Sequence, residues 1–129
     1  MILLDTNALL WLGTDDVRLG AQARALLGAE PPVYYSAVSV AEITIKHMLG
    51  ELPLPGGARF PDVFGEMGLF ELPLNSRQAS SMRDVPELHG HDPFDRLLIA
   101  QAYGARCVFL TADRRLLALE RTWIRDARA

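Results

Sequence analysis

The sequence predicts an α/β protein whose mostly parallel β-sheet is covered by helices on both faces. Short apolar runs of strand character alternate along the chain with longer segments of helical character. Wholly apolar strands are typical of parallel sheets buried on both faces, and the helices would supply the crossovers between them. Half of the 129 residues are apolar, 22% are charged and no stretch is of low complexity, so the chain can bury an ordinary core.

The strands are predicted from runs of large apolar and β-branched residues between polar boundaries. In chain order they are expected over residues 2–4, 33–36, 70–72, 107–110 and 123–124. The helices are expected over residues 8–12, 20–29, 38–49, 59–67, 75–84, 93–103 and 113–120. A connector without hydrophobic periodicity, residues 52–57, and an irregular segment, residues 86–93, separate these elements.

Capping residues and helix breakers support these boundaries. Short polar side chains precede several helices, and Asp92-Pro93 is a strong helix start because proline is favoured at the first helical position. The candidate caps in the rest of the chain are Asp5, Ser36 or Ser39, and Asn75 or Ser76. The predicted stops are Pro31-Pro32 after the second helix, Gly50 after the third and Gly104 after the long helix near the C-terminus.

The charge is distributed unevenly. The net charge is −3, which argues against a general nucleic-acid coat protein. Residues 1–95 carry six Lys/Arg against thirteen Asp/Glu, whereas residues 96–129 carry seven Arg against three acids. The arginine-rich end could face phosphates or could be an ordinary solvated surface, and the sequence leaves both interpretations open.

The chain shows no sign of a secreted or membrane protein. A single cysteine, Cys107, cannot form an internal disulfide, and the N-terminus lacks the basic region of a signal peptide. No apolar run approaches the roughly 20 residues that span a bilayer. We therefore expect a soluble, cytoplasmic protein with a single domain over residues 1–129.

Two acidic residues follow predicted strands, where parallel sheets form ligand sites. Asp5 comes directly after the first strand, and Asp113 comes shortly after the strand that ends at Leu110. Because ligands bind at the carboxyl ends of parallel strands, these carboxylates can converge. Each residue could instead cap the helix that begins there.

Glu42 lies at the edge of a predicted apolar stripe formed by residues 38, 41, 45 and 49. A partly buried carboxylate is costly unless it is paired or binds a cation. Lys46, four residues later, offers an ordinary ion pair, so both explanations remain open.

Asp95 is expected to point inward, because it shares a helix face with Ile99 and Ala102. Asp92 is expected to cap the same helix. Together with Asp5, Glu42 and Asp113, Asp95 completes a set of hard oxygen ligands without cysteine or histidine companions. Such a set favours Mg²⁺ or Mn²⁺ over Zn²⁺ and suits phosphoryl chemistry. Mutual repulsion of the carboxylates should raise their pKa values in the absence of metal.

Four sequence blocks make the chain similar to a known family. They are LDTNALLW at 4–11, SAVSVAEI at 36–43 followed by Lys46, HDPFDRLLIAQA at 91–102, and LTAD at 110–113. In this order and spacing they resemble the PIN domain, and within it the VapC toxins of bacterial VapBC toxin–antitoxin systems. The resemblance runs nearly end to end and implies a three-layer α/β/α sandwich with a central, mostly parallel sheet.

The resemblance also implies roles for individual residues. Asp5, Glu42, Asp95 and Asp113 would be the acidic quartet that binds Mg²⁺ or Mn²⁺ and carries catalysis. The residues that would orient these carboxylates are Thr6, Asn7, Ser39 and Thr111. Asp92 is an acid beyond the minimal four-acid pattern and could reach the metal through water.

A function and partners follow from the same resemblance. It implies a metal-dependent endoribonuclease that acts as the toxin of a toxin–antitoxin pair, forms a homodimer, and is silenced by a VapB-type antitoxin whose tail occupies the groove beside the acidic site. We expect RNA as the substrate and no membrane association. From the residues themselves, Arg96, Arg114 and Arg115 are candidates to hold the flanking phosphates.

Other functions are weaker alternatives. A receiver domain needs an acidic pair after the first strand and a lysine after a late one, whereas Asp15-Asp16 falls in a loop and Lys46 on a helix. A catalytically inactive or DNA-directed PIN-like module that acts mainly through partner binding is retained as the alternative. His89 and His91, just before the helix of Asp95, are interpreted as loop residues in preference to ligands or a general base.

Overall fold

The computed structural model describes residues 1–29 and 32–129, and a five-stranded parallel sheet forms its centre. In chain order the strands are β1 (Ile2–Leu4), β2 (Val33–Ser36), β3 (Phe70–Leu72), β4 (Val108–Thr111) and β5 (Ile124–Asp126). Their order across the sheet is β3-β2-β1-β4-β5, and all four pairings are parallel. The central strand β1 pairs Leu3 with Tyr34 on one side and with Phe109 on the other.

The helices connect and cover these strands. In chain order they are α1 (Thr6–Gly13), α2 (Ala21–Ala29), α3 (Ala37–Met48), α4 (Val63–Glu66), α5 (Ser76–Ser80), α6 (Pro93–Ala105) and α7 (Arg114–Leu117). Single 3₁₀ turns occur at Gly57–Arg59, Ser81–Asp84 and Pro86–Leu88. Within the part of the chain that the structure describes, none of these helices is long and apolar enough to cross a bilayer.

The side chains of β1 alternate between two cores, as a strand covered on both faces requires. Ile2 and Leu4 pack into a cluster with Leu9 and Trp11 of α1. Leu3 packs on the opposite face into a second cluster that includes Ile99 of α6. The predicted α/β/α sandwich with a central parallel sheet is therefore confirmed.

Most predicted elements are present, but several boundaries differ. The long C-terminal helix does not stop at Gly104: α6 runs to Ala105 and ends at Arg106, whose φ of 56° is left-handed. The backbone N–H of Arg106 donates to the carbonyls of Ala102 and Tyr103. Arg106 therefore ends the helix in the left-handed conformation that glycine more often adopts at this position. The strand predicted over 107–110 and the last strand each begin one residue later than expected.

Three predicted helices are shorter than expected. Residues 59–67 form only α4, because Pro61 has no N–H to donate and separates α4 from the preceding 3₁₀ turn. Residues 75–84 divide into α5, capped by Asn75 as predicted, and a 3₁₀ turn. Residues 113–120 form only α7. The predicted stop at Pro31 lies outside the described residues.

The apolar stripe predicted on α3 is wrong. Its buried residues are Val38, Ser39, Glu42 and Ile43. Ile45 and Leu49 are instead exposed, at 45% and 66%. Glu42 therefore lies within the buried face of α3 and not at its edge. This face carries Ser39 and Glu42 because both side chains contact Thr6 of α1.

The carboxyl ends of three neighbouring strands lead directly into helices. Asp5 joins β1 to α1, Ser36 ends β2 at the start of α3, and Asp113 follows β4 at the start of α7. Because β2, β1 and β4 are adjacent and parallel, these three helix starts lie along one edge of the sheet. This edge is where a ligand site is expected in a parallel sheet.

Candidate functional site

Asp5 is buried between β1 and α1, with both carboxylate oxygens engaged. Oδ1 accepts a hydrogen bond from the backbone N–H of Ala8 at 2.7 Å, and Oδ2 accepts one from Thr111 Oγ1 at 2.5 Å. The first bond caps α1, and the second reaches the last residue of β4. The two roles considered for Asp5 are therefore compatible, because the carboxylate caps a helix and also faces the strand-end edge.

Glu42 is 8% exposed, and it also has a partner on each oxygen. Thr6 Oγ1 donates to Oε1 at 2.6 Å, and Lys46 Nζ donates to Oε2 at 2.8 Å. The hydroxyl oxygens of Thr6 and Ser39 are 3.0 Å apart. Since the single hydroxyl proton of Thr6 goes to Glu42, Ser39 is the donor in that contact. Thr6 and Ser39 thus hold Glu42 in one orientation.

Asp92 and Asp95 lie at the start of α6. Asp92 is exposed and is the N-cap, with Oδ1 accepting from the backbone N–H of Phe94 at 2.8 Å and of Asp95 at 3.4 Å. Asp95 is half-buried, and Ile99 and Ala102 on the same helix face are fully buried. The structure places both carboxylates as the sequence predicted.

Asp113 is half-buried and caps α7. Its Oδ1 accepts from the backbone N–H groups of Arg115 at 2.8 Å and Leu116 at 3.3 Å. The backbone N–H of Asp113 donates to Thr111 Oγ1 at 3.1 Å, and the same hydroxyl donates to Asp5. Thr111 therefore sets the positions of two acidic residues at once.

These carboxylates meet around one cavity of about 200 Å³ at the strand-end edge, which we call the acidic cleft. Its lining residues are Asp5, Thr6, Asn7, Glu42, Lys46, Asp92, Asp95 and Asp113. The structure thus brings together the four acids of the predicted quartet and adds Asp92. Ser39 and Thr111 do not line the cleft but hold residues that do.

Burial and mutual repulsion change the acidity of two of these groups. Burial raises the pKa of Asp5 to about 6, against the opposing effect of its hydrogen bonds from Thr111 and Ala8. The pKa of Asp95 is raised to about 7, first by burial and then by the negative charges of Asp92, Asp113, Glu42 and Asp5. A bound cation would offset this repulsion between the carboxylates.

The donor set fits a hard divalent cation that keeps most of its water. Among the described residues, no group of three or more His, Cys, Asp or Glu side chains stands ready to hold a metal ion. Mg²⁺, however, is usually bound through one or two carboxylates with water in its other positions. The five carboxylates of the acidic cleft offer oxygen ligands of that kind, in a cavity large enough for an ion with its water molecules.

The predicted phosphate-binding arginines do not line the acidic cleft. Arg96 is half-buried on α6, and Arg114 and Arg115 are exposed on α7. The cationic side chain in the lining is that of Lys46, which the sequence had suggested only as an ion-pair partner. His89 and His91 lie in the turn before α6 and are also outside this lining.

Sequence reasoning missed the buried bond between Ser36 and Gln101. Ser36 Oγ donates to Gln101 Oε1, and Gln101 Nε2 donates to the carbonyl of Pro73 at 3.3 Å. Both side chains are fully buried. The bond ties the start of α3 to the middle of α6, the two helices that carry Glu42 and Asp95. A glutamine among the apolar residues of α6 was the only signal for it.

A parallel α/β/α sandwich with a cluster of carboxylates at the carboxyl ends of its central strands defines the class of this protein: an α/β domain with an acidic cleft at the edge of its sheet. The family model that matches the chain is described as the PIN domain and covers residues 2–121. The chain belongs to the PIN domain family. PIN domains are generally nucleases.

Solved structures with a similar fold include toxin–antitoxin complexes. A toxin–antitoxin complex from Klebsiella pneumoniae matches with a TM-score of 0.58 and 18% identity, over 88% of this chain and 87% of its own. FitAB bound to the IR36 DNA fragment matches with a TM-score of 0.63 and 23% identity, over 100% and 96%. VapBC2 from Rickettsia felis, bound to a DNA fragment from its promoter, matches with a TM-score of 0.60 and 13% identity, over 98% and 97%.

At these identities the structural likeness shows a shared fold. No curated protein sequence matches the chain significantly.

Proposed function

We propose that this protein is a Mg²⁺- or Mn²⁺-dependent endoribonuclease of the VapC type, the toxin of a toxin–antitoxin pair. The observation that carries the proposal is the acidic cleft, where five carboxylates converge at the carboxyl ends of adjacent parallel strands. Membership of the PIN domain family supports nuclease chemistry. The toxin–antitoxin complexes among the structures of similar fold support the toxin assignment.

In this proposal Asp5, Glu42, Asp95 and Asp113 are the metal-binding and catalytic residues. The chemistry that a bound divalent cation supplies is activation of a water molecule for attack on the phosphodiester and stabilisation of the charge that develops there. The hydroxyl of Thr111 donates a hydrogen bond to Asp5 and holds this carboxylate toward the cleft. Burial and the neighbouring negative charges raise the pKa of Asp95 to about 7, and a bound cation would oppose both effects.

The remaining polar residues keep these carboxylates in place. Thr6 and Ser39 orient Glu42, and Thr111 orients Asp5 and Asp113. Asn7 lines the cleft beside them, and Asp92 lies at its rim as the exposed cap of α6. Lys46 balances the charge of Glu42 through the 2.8 Å ion pair.

The partners proposed are an RNA substrate, a VapB-type antitoxin and a second copy of this chain, in the cytoplasm. The exposed apolar side chains of Ile45, Met48 and Leu49, at the C-terminal end of α3, support a protein interface, because adjacent large apolar groups on a surface favour burial against a partner. We also propose that residues 1–129 form one domain, since the five strands from both ends of the chain share one sheet.

The proposal is tested by induced expression in a bacterial host, with growth and RNA ends followed by primer extension. Wild-type protein is compared with Asp5→Asn and with Asp62→Asn, an exposed acid outside the acidic cleft. Growth arrest with discrete new RNA ends is expected for wild type and Asp62→Asn and not for Asp5→Asn. Arrest that persists in Asp5→Asn would show that the acidic cleft is not responsible for toxicity.

A soluble, folded wild-type protein that causes neither arrest nor cleavage would favour the alternative, an inactive or DNA-directed module that acts through partner binding. Incubation of the purified protein with DNA and with RNA in separate reactions then distinguishes a DNA-directed module from an inactive one.

A further inference from the structure

A second and larger cavity adjoins the acidic cleft. It has a volume of about 680 Å³, and Asn7 lines both cavities. We call it the α1 groove: its walls are α1, residues 52–56, and the side chains of Arg18 and Arg128. The groove extends along α1 from Asn7 to Thr14, which at the rise of a helix is about 10 Å.

Two arginines cover the indole of Trp11 at the wall of this groove. The guanidinium carbon of Arg18 lies 4.9 Å from the centre of the Trp11 ring, and that of Arg128 lies 5.4 Å from it. Trp11 itself is only 5% exposed. The surface presented to a ligand is therefore made by the guanidinium groups, which the attraction between cation and ring holds in place.

Further hydrogen bonds fix both guanidinium groups. Arg18 donates from Nε and Nη2 to the two carboxylate oxygens of Asp16, at 3.1 and 2.8 Å. Arg128 donates from Nη1 to the carbonyl oxygen of Ala112 at 2.6 Å. Ala112 directly precedes Asp113, so Arg128 is anchored at the border between the α1 groove and the acidic cleft. Each guanidinium keeps further N–H groups for another acceptor.

We propose that the α1 groove binds the RNA nucleotides next to the phosphodiester in the acidic cleft, with Arg18 and Arg128 contacting phosphate and base. This inference rests on the proposed ribonuclease function and assigns its substrate-binding residues. A strand whose phosphate lies among five carboxylates needs cations close by, and Arg128 is anchored beside that cleft. Arginine guanidinium planes stack on unpaired bases and also bond to phosphates, which suits single-stranded RNA.

The size and composition of the groove agree with this occupant. Its volume lies in the range of small-molecule pockets, which accommodates a nucleotide. Leu52, Pro53 and Leu54 give it an apolar wall for the face of a base. Its charged rim consists of Arg18, Arg128 and Asp16, which is paired with Arg18. The predicted phosphate contacts at Arg114 and Arg115 lie outside this groove.

The test measures binding of a fluorescent single-stranded RNA by anisotropy, with Asp95→Asn as the background so that the RNA is not cut. Arg18→Ala and Arg128→Ala are compared with Arg83→Ala, an exposed arginine that lines neither cavity but changes the net charge equally. We expect each groove variant to weaken binding about tenfold, with a shallower dependence on salt, and Arg83→Ala to have little effect. Arg128→Lys, which keeps the charge but not the planar group, should recover only part of the affinity.

Equal affinities for Arg18→Ala, Arg128→Ala and Arg83→Ala would overturn the proposal. Thermal unfolding of each variant identifies a loss of fold, and Arg18→Ala is informative in any case because the Arg18 side chain is 62% exposed. Cleavage of RNA by the protein with an intact Asp95 is measured in parallel. If it cuts RNA while the groove variants bind normally, the groove assignment fails and the ribonuclease function stands. If it does not cut RNA, the function on which the groove assignment depends has failed.

Discussion

Thr111 connects the acids of the cleft more directly than any residue that lines it. Its hydroxyl donates to Asp5 at 2.5 Å and accepts from the backbone N–H of Asp113 at 3.1 Å. The side chain is fully buried, so water cannot replace these bonds. A carboxylate that must hold a cation needs such support, because a ligand free to rotate binds and orients poorly.

Replacing Thr111 by valine, which has the same shape, should lower the rate of RNA cleavage about ten- to a hundredfold. The variant loses the bond to Asp5 but keeps the volume in the core. Thr111→Ser, which retains the hydroxyl, should stay near the wild-type rate. The check is kcat measured against Mg²⁺ concentration for the three proteins, and equal rates for Thr111→Val and wild type would refute the positioning role.

At the scale of residues, the sequence predicted that the four acids converge, but it did not indicate which arginines line the α1 groove. Asp5, Glu42, Asp95 and Asp113 could be found because strand ends and helix starts mark their positions locally. Arg128 could not be found in this way, because its guanidinium lies over Trp11 only when the C-terminal segment packs against α1. Nothing local in the sequence distinguishes it from the arginines of α7.

At the scale of elements, residues 52–56 form the wall of the α1 groove, and Gly56 sets their path. Gly56 has a φ of +74°, and a Cβ added there would lie 2.9 Å from Cβ and Cγ2 of Val63. Val63 is buried in the core, so it cannot move aside freely. Gly50 has a similar φ of +75°, but open space surrounds the position of its Cβ.

The two glycines form a matched pair for a stability measurement. Gly50→Ala should lower the free energy of unfolding by about 1 kcal/mol, the cost of a left-handed backbone for alanine. Gly56→Ala should cost about 1–3 kcal/mol more, because overpacking against Val63 is added to the same backbone cost. Urea unfolding of both variants measures the difference, and equal losses would show that the contact with Val63 does not constrain the connector.

The helix α3 shows that hydrophobic periodicity alone does not predict which residues are buried. The apolar stripe predicted along α3 placed Ile45 and Leu49 in the core, but both are exposed, whereas Glu42 is buried. Periodicity reports which face is apolar, and it cannot tell a core from a surface that another molecule covers. The strands were easier to predict, because their wholly apolar runs allow few other placements.

At the scale of the whole molecule, the acidic cleft should make folding stability depend on pH. The pKa values of Asp5 and Asp95 in the folded protein are raised from 3.8 to about 6 and about 7. Between pH 4 and 7 the folded state therefore binds more protons than the unfolded state. It follows that the free energy of unfolding, without divalent cations, should fall as the pH rises through this range.

Urea unfolding at pH 5 and pH 8 in the presence of a chelator measures this dependence. The opposing contribution of Asp16, whose pKa is lowered to about 2 by Arg18, changes only below this range. Asp95→Asn should be more stable than wild type at pH 8 and should show a smaller change between the two pH values. Equal pH dependence in the two proteins would contradict the assignment of Asp95 to a repulsive acidic cluster.

The fold as a whole was predictable because its strands, helices and acidic positions are each marked in the sequence. The position of the α1 groove beside the acidic cleft could not be predicted from the sequence. It depends on Asn7 lining both cavities and on the C-terminal segment placing Arg128 next to α1. Function at this scale lies in that juxtaposition. In the proposed function the acidic cleft would bind the cation, and the adjoining α1 groove would bind the RNA strand.

The central claim is that the acidic cleft cuts RNA with the help of a divalent cation. The most direct measurement incubates purified wild-type and Asp95→Asn proteins with total bacterial RNA, with Mg²⁺ or with a chelator, and maps new RNA ends. We expect discrete cuts only from the wild-type protein with Mg²⁺. Cuts at the same positions from Asp95→Asn, or from wild type in the chelator, would contradict it.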